Sequence, residues 1–207
     1  VDIYFGGAEH TLGHTLYSRF FVKFLQDIGV VPPMAEYAKK RVHHGVILGP
    51  DGQRMSKSHG NVVNPDDEVK QYGADSVRLY LAFLGPYDLV APWDPGGIRG
   101  VYHFLERVWK LFEGLSGNQV IRSSGSQVST QPDNPSTRVP DNHSPEDLYW
   151  IHKTIKKVTE DIEAIKFNTP VAALMEWLNY LGKKGKVQSE EYKTLLLLLA
   201  PFAPHIT

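Results

Sequence analysis

The chain has 207 residues, 42% of them hydrophobic and 22% charged, with a formal charge of −1. That balance belongs to a folded globular protein with material for one or two cores, and it excludes the global basic field of a small nucleic-acid binder. The lack of cysteine excludes disulfides and thiolate zinc sites. With no apolar run of about 18 residues and no signal-peptide pattern, the sequence reads as cytoplasmic with no membrane partner.

Val1 to Phe5 reads as a core strand, and Gly6-Gly7 as the turn that leaves it. From about Glu9 to Gly29, apolar residues recur at helical spacing (Leu12, Leu16, Phe20, Phe21, Phe24, Leu25, Ile28), and Gly29 ends the run as a C′ glycine. A strand, two glycines and a helix N-terminus form the arrangement in which doubly wound sheets hold nucleotides. Glycines let a ligand approach the backbone, and Glu9 can accept hydrogen bonds from ribose hydroxyls. His10 and His14 are four apart and share a helix face. Such a pair suits a metal or an ordinary structural role. A zinc-protease helix wants Glu directly after the first His, and Thr11 stands there instead.

The stretch from Tyr37 to His44 approaches a second strand, and Val46-Ile47-Leu48 enters a loop. Pro50-Asp51-Gly52 is a turn signal: Pro presets φ, Asp bonds its own backbone, and Gly accepts positive φ. Arg54-Met55-Ser56-Lys57-Ser58 follows, with hydroxyl residues on either side of a lysine. Backbone N–H groups, hydroxyl donors and one mobile ammonium on a glycine-bounded loop suit a polyphosphate. Asn64, Pro65 and two acids then start a helix that runs to Tyr72 and stops at Gly73. Another begins near Asp75, burying Val77, Leu81 and Leu84 before Gly85-Pro86 breaks it.

The second half reads as helical. Residues 97–115 form an amphipathic helix through Val101, Phe104, Leu105, Val108 and Leu111. Residues 117–146, rich in Ser, Gln, Asn and Pro, read as a disordered surface insertion, because so few apolar side chains cannot offset the entropy of ordering. Leu148, Ile151, Ile155, Val158, Ile162 and Ile165 mark a bundle seam. Thr169-Pro170 caps a third helix through Leu174, Leu178 and Leu181, closed by Gly182, and a fourth starts after Ser189 and includes Leu195 to Leu199. The lysine clusters at 39–41, 153–157 and 183–186 read as solvated helix faces.

Arg54-Met55-Ser56-Lys57-Ser58 resembles the KMSKS signature loop of class I aminoacyl-tRNA synthetases, with Arg for the first Lys. The continuation Gly60-Asn61-Val62-Val63-Asn64-Pro65, Tyr72-Gly73-Ala74-Asp75 and Arg78-Leu79 is similar to the leucine, isoleucine, valine and methionine enzymes. Gly6-Gly7-Ala8-Glu9-His10 with His14 and Tyr17-Ser18-Arg19-Phe20, then Phe167-Asn168-Thr169 and Ala200-Pro201-Phe202-Ala203-Pro204-His205, resemble the leucyl type. The resemblance implies an α/β part followed by an all-α part. Residues 1–50 would be the C-terminal part of a Rossmann-like nucleotide-binding domain, 51–96 the signature loop and stem-contact region, and 97–207 a helical bundle of the anticodon-binding type.

The activity implied is leucine activation by ATP, with Mg2+, and transfer to tRNA(Leu) by a monomeric parent enzyme. Lys57 is the expected catalytic residue. Gly6, Gly7, Glu9, His10, Arg54, Met55, Ser56 and Ser58 are the expected ATP and adenylate contacts. His10 and His14 would line the amino-acid pocket, and no metal ligand is expected. Arg54 keeps the family lysine's charge but not its shape. Neither an editing domain nor a His-x-Gly-His motif is visible, so the sequence reads as an inactive piece of a longer chain. Two other readings are a non-catalytic tRNA-binding or interaction paralogue and a metal-dependent hydrolase using His10 and His14.

Overall fold

The computed structural model describes residues 1–120 and 143–207, with side chains at 116–120 left aside. Most of the insertion expected at 117–146 lies outside the described residues. The chain divides into two compact units: Val1–Val63 with Gly85–Trp93, and Asn64–Leu84 with Asp94–Thr207.

In the first unit, β1 (Ile3–Gly7) pairs in parallel with β2 (Lys40–His44), Tyr4 opposite Arg41 and Gly7 opposite His44. The expected strand lies two residues further along. Its alternation leaves Ile3 and Phe5 exposed rather than making it a core strand. A 3-10 turn (Ala8–His10) and a π-helical turn (Thr11–Thr15) lead into α1 (Leu16–Asp27), so the expected helix winds in three ways. Gly29 ends it at φ +73° as expected. Although α1 has helical periodicity, Leu16, Phe20, Phe21 and Phe24 are exposed while Val22 and Leu25 are half-buried. Apolar residues over so much of its circumference are the pattern of a helix covered on more than one side.

A short parallel pair, β3 (Ile47–Leu48) and β4 (Ala91–Pro92), carries the chain to the loop. Between β2 and β3, Gly45 donates to the Tyr87 carbonyl at 2.8 Å. A Cβ on Gly45 would collide with the Leu89 backbone, which no rotamer change could relieve, so this crossing requires glycine.

The second unit is all α. Asn64 caps α2 (Pro65–Tyr72), its side chain accepting from Asp66 N at 3.2 Å with Pro65 at N1, as local chemistry predicts. In α3 (Ala74–Phe83) the buried apolar residues are Val77, Leu79 and Tyr80, whereas Leu81 faces solvent. The Tyr80 hydroxyl accepts from Asp94 N at 2.9 Å and donates to Asp94 O at 2.8 Å, tying α3 to the start of α4 (Pro95–Val120). Gly97 packs against the Tyr80 ring with no room for a Cβ.

The bundle continues with α5 (Pro145–Glu163), α6 (Asn168–Lys184) and α7 (Ser189–Leu199). Its core is built from Val101 and Val108, Leu174 and Trp177, and Leu195 and Leu199. The seam expected on α5 is rotated. Asp147, Thr154, Val158 and Asp161 are buried, while Leu148 and Ile155 are exposed. The buried acids are satisfied by other helices: Lys184 Nζ stands 2.6 Å from Asp147 Oδ1 and 2.9 Å from Glu191 Oε1, and Tyr180 donates to Asp147 at 2.8 Å. Thr169 does not cap α6. Its hydroxyl donates to Asp161 instead. Gly182 remains helical, and the helix closes at Gly185 (φ +78°). The structure is thus an α/β part followed by an all-α part.

Candidate active site

The signature loop is held by side chains within itself. Gly49 N donates to Gln53 O at 2.7 Å and Gly52 N to Gly49 O at 2.9 Å, with Gly52 at φ +72°. Asp51 accepts from Gln53 N at 3.0 Å, the local bond its turn position predicts. Asn61 then fastens the loop from its far side. Its amide donates to both Asp51 oxygens at 3.1 and 3.0 Å, and its carbonyl accepts from Ser56 N at 2.9 Å. Gly49 is buried beneath this clamp, and a Cβ there would stand 2.7 Å from the Asp51 carboxylate.

Lys57 opens a short 3-10 turn (Lys57–His59) that Gly60 ends at φ +67°. Its ammonium is exposed and has no hydrogen-bond or ion-pair partner among the described residues. The Ser56 and Ser58 hydroxyls are 2.7 Å apart, and Met55 is half-buried. Arg54 bridges back to Leu48, antiparallel, at the loop's base.

At the exit of β1, Gly7 is buried, and Glu9 curls back over it so that a Cβ on Gly7 would lie 2.7 Å from the Glu9 carboxyl carbon. The Glu9 carboxyl is held below its usual range, chiefly by a bond to its own backbone N–H, which outweighs desolvation, with lesser help from His10, Arg54 and His44. Gly6 lies on β1 beside Arg41, and His10 is exposed. His14 turns toward the strand. Its Nε2 bonds the Tyr4 hydroxyl, and the two rings stack at 5.7 Å with 16° between planes.

Sequence reasoning missed Asn61, Arg41 and His44. Asn61 carries no local signal of its own, because its partner Asp51 lies ten positions away.

Among the described residues, only His143, Asp147 and Glu191 bring three potential metal-ligand atoms within 4.8 Å of one another. There the Lys184 ammonium already meets both carboxylates. No third ligand of this kind joins His10 and His14 among the described residues. The lysines at 153–157 are each paired, Lys153 with Glu176, Lys156 with Glu160 and Lys157 with Asp161. A cavity of about 550 Å³ in the helical unit, lined by Tyr72, Asp75, Tyr102, Trp109 and His205 among others, holds none of the predicted site residues. No described helix is long and apolar enough to cross a membrane.

Residues 21–89 match the family model of class I tRNA synthetases (I, L, M and V), and residues 148–207 match that of the anticodon-binding domain of tRNA ligase. Over these two stretches the chain is similar to the class I aminoacyl-tRNA synthetases.

Relatives matching the whole chain are leucine–tRNA ligases. It is 47% identical to that of Alkaliphilus oremlandii over all 207 residues, which is 23% of the relative. With the Chlorobium phaeobacteroides ligase it shares 46% identity over 100% of this chain and 24% of the relative. A crystal structure of an Agrobacterium radiobacter LeuRS–tRNA–LeuAMS ternary complex superposes with TM-score 0.80 and 34% identity, covering 99% of this chain and 26% of that one. Methionyl-tRNA synthetase of Mycobacterium tuberculosis, solved with methionyl-adenylate, shares the fold at TM-score 0.64 and 18% identity over 99% of this chain and 42% of that one. The chain spans about a quarter of the length of the leucine–tRNA ligases it matches.

Proposed function

We propose that this chain supplies the signature loop, the strand-exit acid and the tRNA-binding bundle of a longer leucine–tRNA ligase, which activates leucine with ATP and transfers it to tRNA(Leu). In this reading residues 1–50 complete a Rossmann-like domain, 51–96 form the loop and stem-contact region, and 97–207 form the bundle that meets tRNA. The carrying observation is the 47% identity to a leucine–tRNA ligase over all 207 residues, a match that takes in both the loop and the glycine turn.

In activation the leucine carboxylate attacks the α-phosphate of ATP and pyrophosphate leaves. The protein's part is positioning and stabilisation of the charge that builds on phosphate oxygens. The exposed Lys57 ammonium would meet the phosphates, with the Ser56 and Ser58 hydroxyls and the backbone near Met55 as further donors. Ionised Glu9 would accept from ribose hydroxyls, and Gly6 and Gly7 would admit the nucleotide to the backbone. His10 and His14 would border the amino acid. Mg2+ would arrive on the ATP phosphates, since Asp51 beside the loop is occupied by Gln53 N and Asn61.

The test is leucine-dependent ATP–pyrophosphate exchange by the full-length ligase. Asn61→Ala removes the clamp while leaving Lys57 in place. Its exchange rate should fall about 10- to 100-fold, the scale for a misplaced catalytic group, while the unfolding temperature stays close to wild type. Wild-type exchange by this variant would show that the clamp does not set the loop.

A further inference from the structure

We propose that Arg41 is a positioning residue of this site, clamping the π-helical turn that carries His14 against the end of β1. The inference rests on the reading of the strand exit as the adenylation site. Tyr4 and Arg41 face each other in the β1–β2 register, so their side chains emerge on the same side of the pair. The guanidinium lies over the Tyr4 ring, 5.5 Å from its centroid. One nitrogen of the fork, Nη1, donates to Thr15 Oγ1, and the other, Nη2, donates to the Gly7 carbonyl at 3.3 Å. Gly7 ends the strand, and Thr15, itself buried, ends the π turn. A single planar group thus holds both ends of the segment from Gly7 to Thr15 that bears Glu9, His10 and His14. Tyr4, beneath the same guanidinium, bonds and stacks on His14. Strand, π turn and imidazole are linked through one side chain.

Two features set this apart from ordinary packing. Arg41 has no carboxylate partner among the described residues, and its Nε is buried without a hydrogen-bond partner. An aliphatic residue would fill the space without stranding that N–H. A lysine could not bond in two fixed directions at once. The segment it clamps includes a π-helical turn, a distortion found often at functional sites.

The test uses Arg41→Met, which keeps the length and removes the fork, and Arg41→Lys, which keeps the charge, both in the full-length ligase. Exchange kinetics should show kcat/KM for leucine reduced about tenfold in both variants, since a small displacement of a positioned group costs on that order. KM for ATP and the unfolding temperature should stay near wild type. Thr15→Val, which removes the acceptor and keeps the arginine, should move leucine kinetics in the same direction and serves if the arginine variants fold poorly. Wild-type leucine kinetics in these variants, full rescue by lysine, or a loss shared equally by all parameters alongside a lowered unfolding temperature would overturn the inference. The outcomes separate it from the reading beneath it. If the unaltered ligase shows no leucine-dependent exchange, that reading fails; if it does and Arg41→Met matches it, only the role of Arg41 fails.

Discussion

Lys57→Ala in the full-length ligase is expected to slow leucine-dependent ATP–pyrophosphate exchange by roughly 10²–10³-fold, the cost of removing one charge-stabilising donor from a transition state. The KM for leucine should change little, because the lysine would meet phosphate oxygens rather than the amino acid. The expectation follows from the loop's construction. The two serine hydroxyls bond each other, and Asn61 and Asp51 bond within the loop, whereas the exposed Lys57 ammonium has no partner among the described residues. An interaction made only in the transition state lowers kcat and kcat/KM together. If KM for leucine rises instead and kcat is unchanged, Lys57 acts in binding and the proposed role is wrong.

The largest effect on stability is expected from Lys184→Met. Among the described residues, Lys184 is the cation shared by Asp147 and Glu191, whose side chains are only 4% and 1% exposed. Burial opposes ionisation of Asp147, yet Lys184, Tyr180 and Ser144 outweigh it and hold the carboxyl well below the usual range. The same burial, with the bond to Asp147, pushes the Tyr180 phenol up to about 12. Removing the ammonium leaves two buried carboxylates without their counter-ion, which costs about 3–5 kcal/mol.

The pH dependence follows in sign. A carboxyl with a depressed folded-state pKa contributes stability that is present above its unfolded value, near ~3.9, and is lost as pH falls through the folded value. The gap between wild type and Lys184→Met should therefore narrow as pH drops below ~4. Urea unfolding of the chain at neutral and acid pH reads both effects. A wild-type midpoint for the variant at neutral pH would show that the network contributes nothing.

What the sequence made legible was local. The Asn64 cap, the Asp51 turn and the Gly29 stop each depend on neighbours within a few residues, and each stands where its chemistry predicts. The signature pentapeptide was legible for the same reason. The buried face of α5 was not. Its apolar pattern pointed to Leu148 and Ile155, yet Asp147 and Asp161 go inside because Lys184, Tyr180 and Thr169 arrive from α6 to satisfy them. No reading of one helix's periodicity contains its partner's side chains. Gly182 and Gly185 were equivalent in composition, and only the backbone shows that the second takes positive φ. Arg41 looked like part of a basic run on an approach to a strand. Its importance comes from Tyr4, Gly7 and Thr15, which parallel pairing brings alongside.

The central claim is that the strand-exit acid and the signature loop act on one nucleotide. A structure of the full-length ligase with leucine and a non-hydrolysable ATP analogue tests it most directly. The account predicts ribose hydroxyls on the Glu9 carboxylate and the Lys57 ammonium within hydrogen-bond distance of a phosphate oxygen of the same molecule. A nucleotide bound with either residue turned away from it would contradict the account.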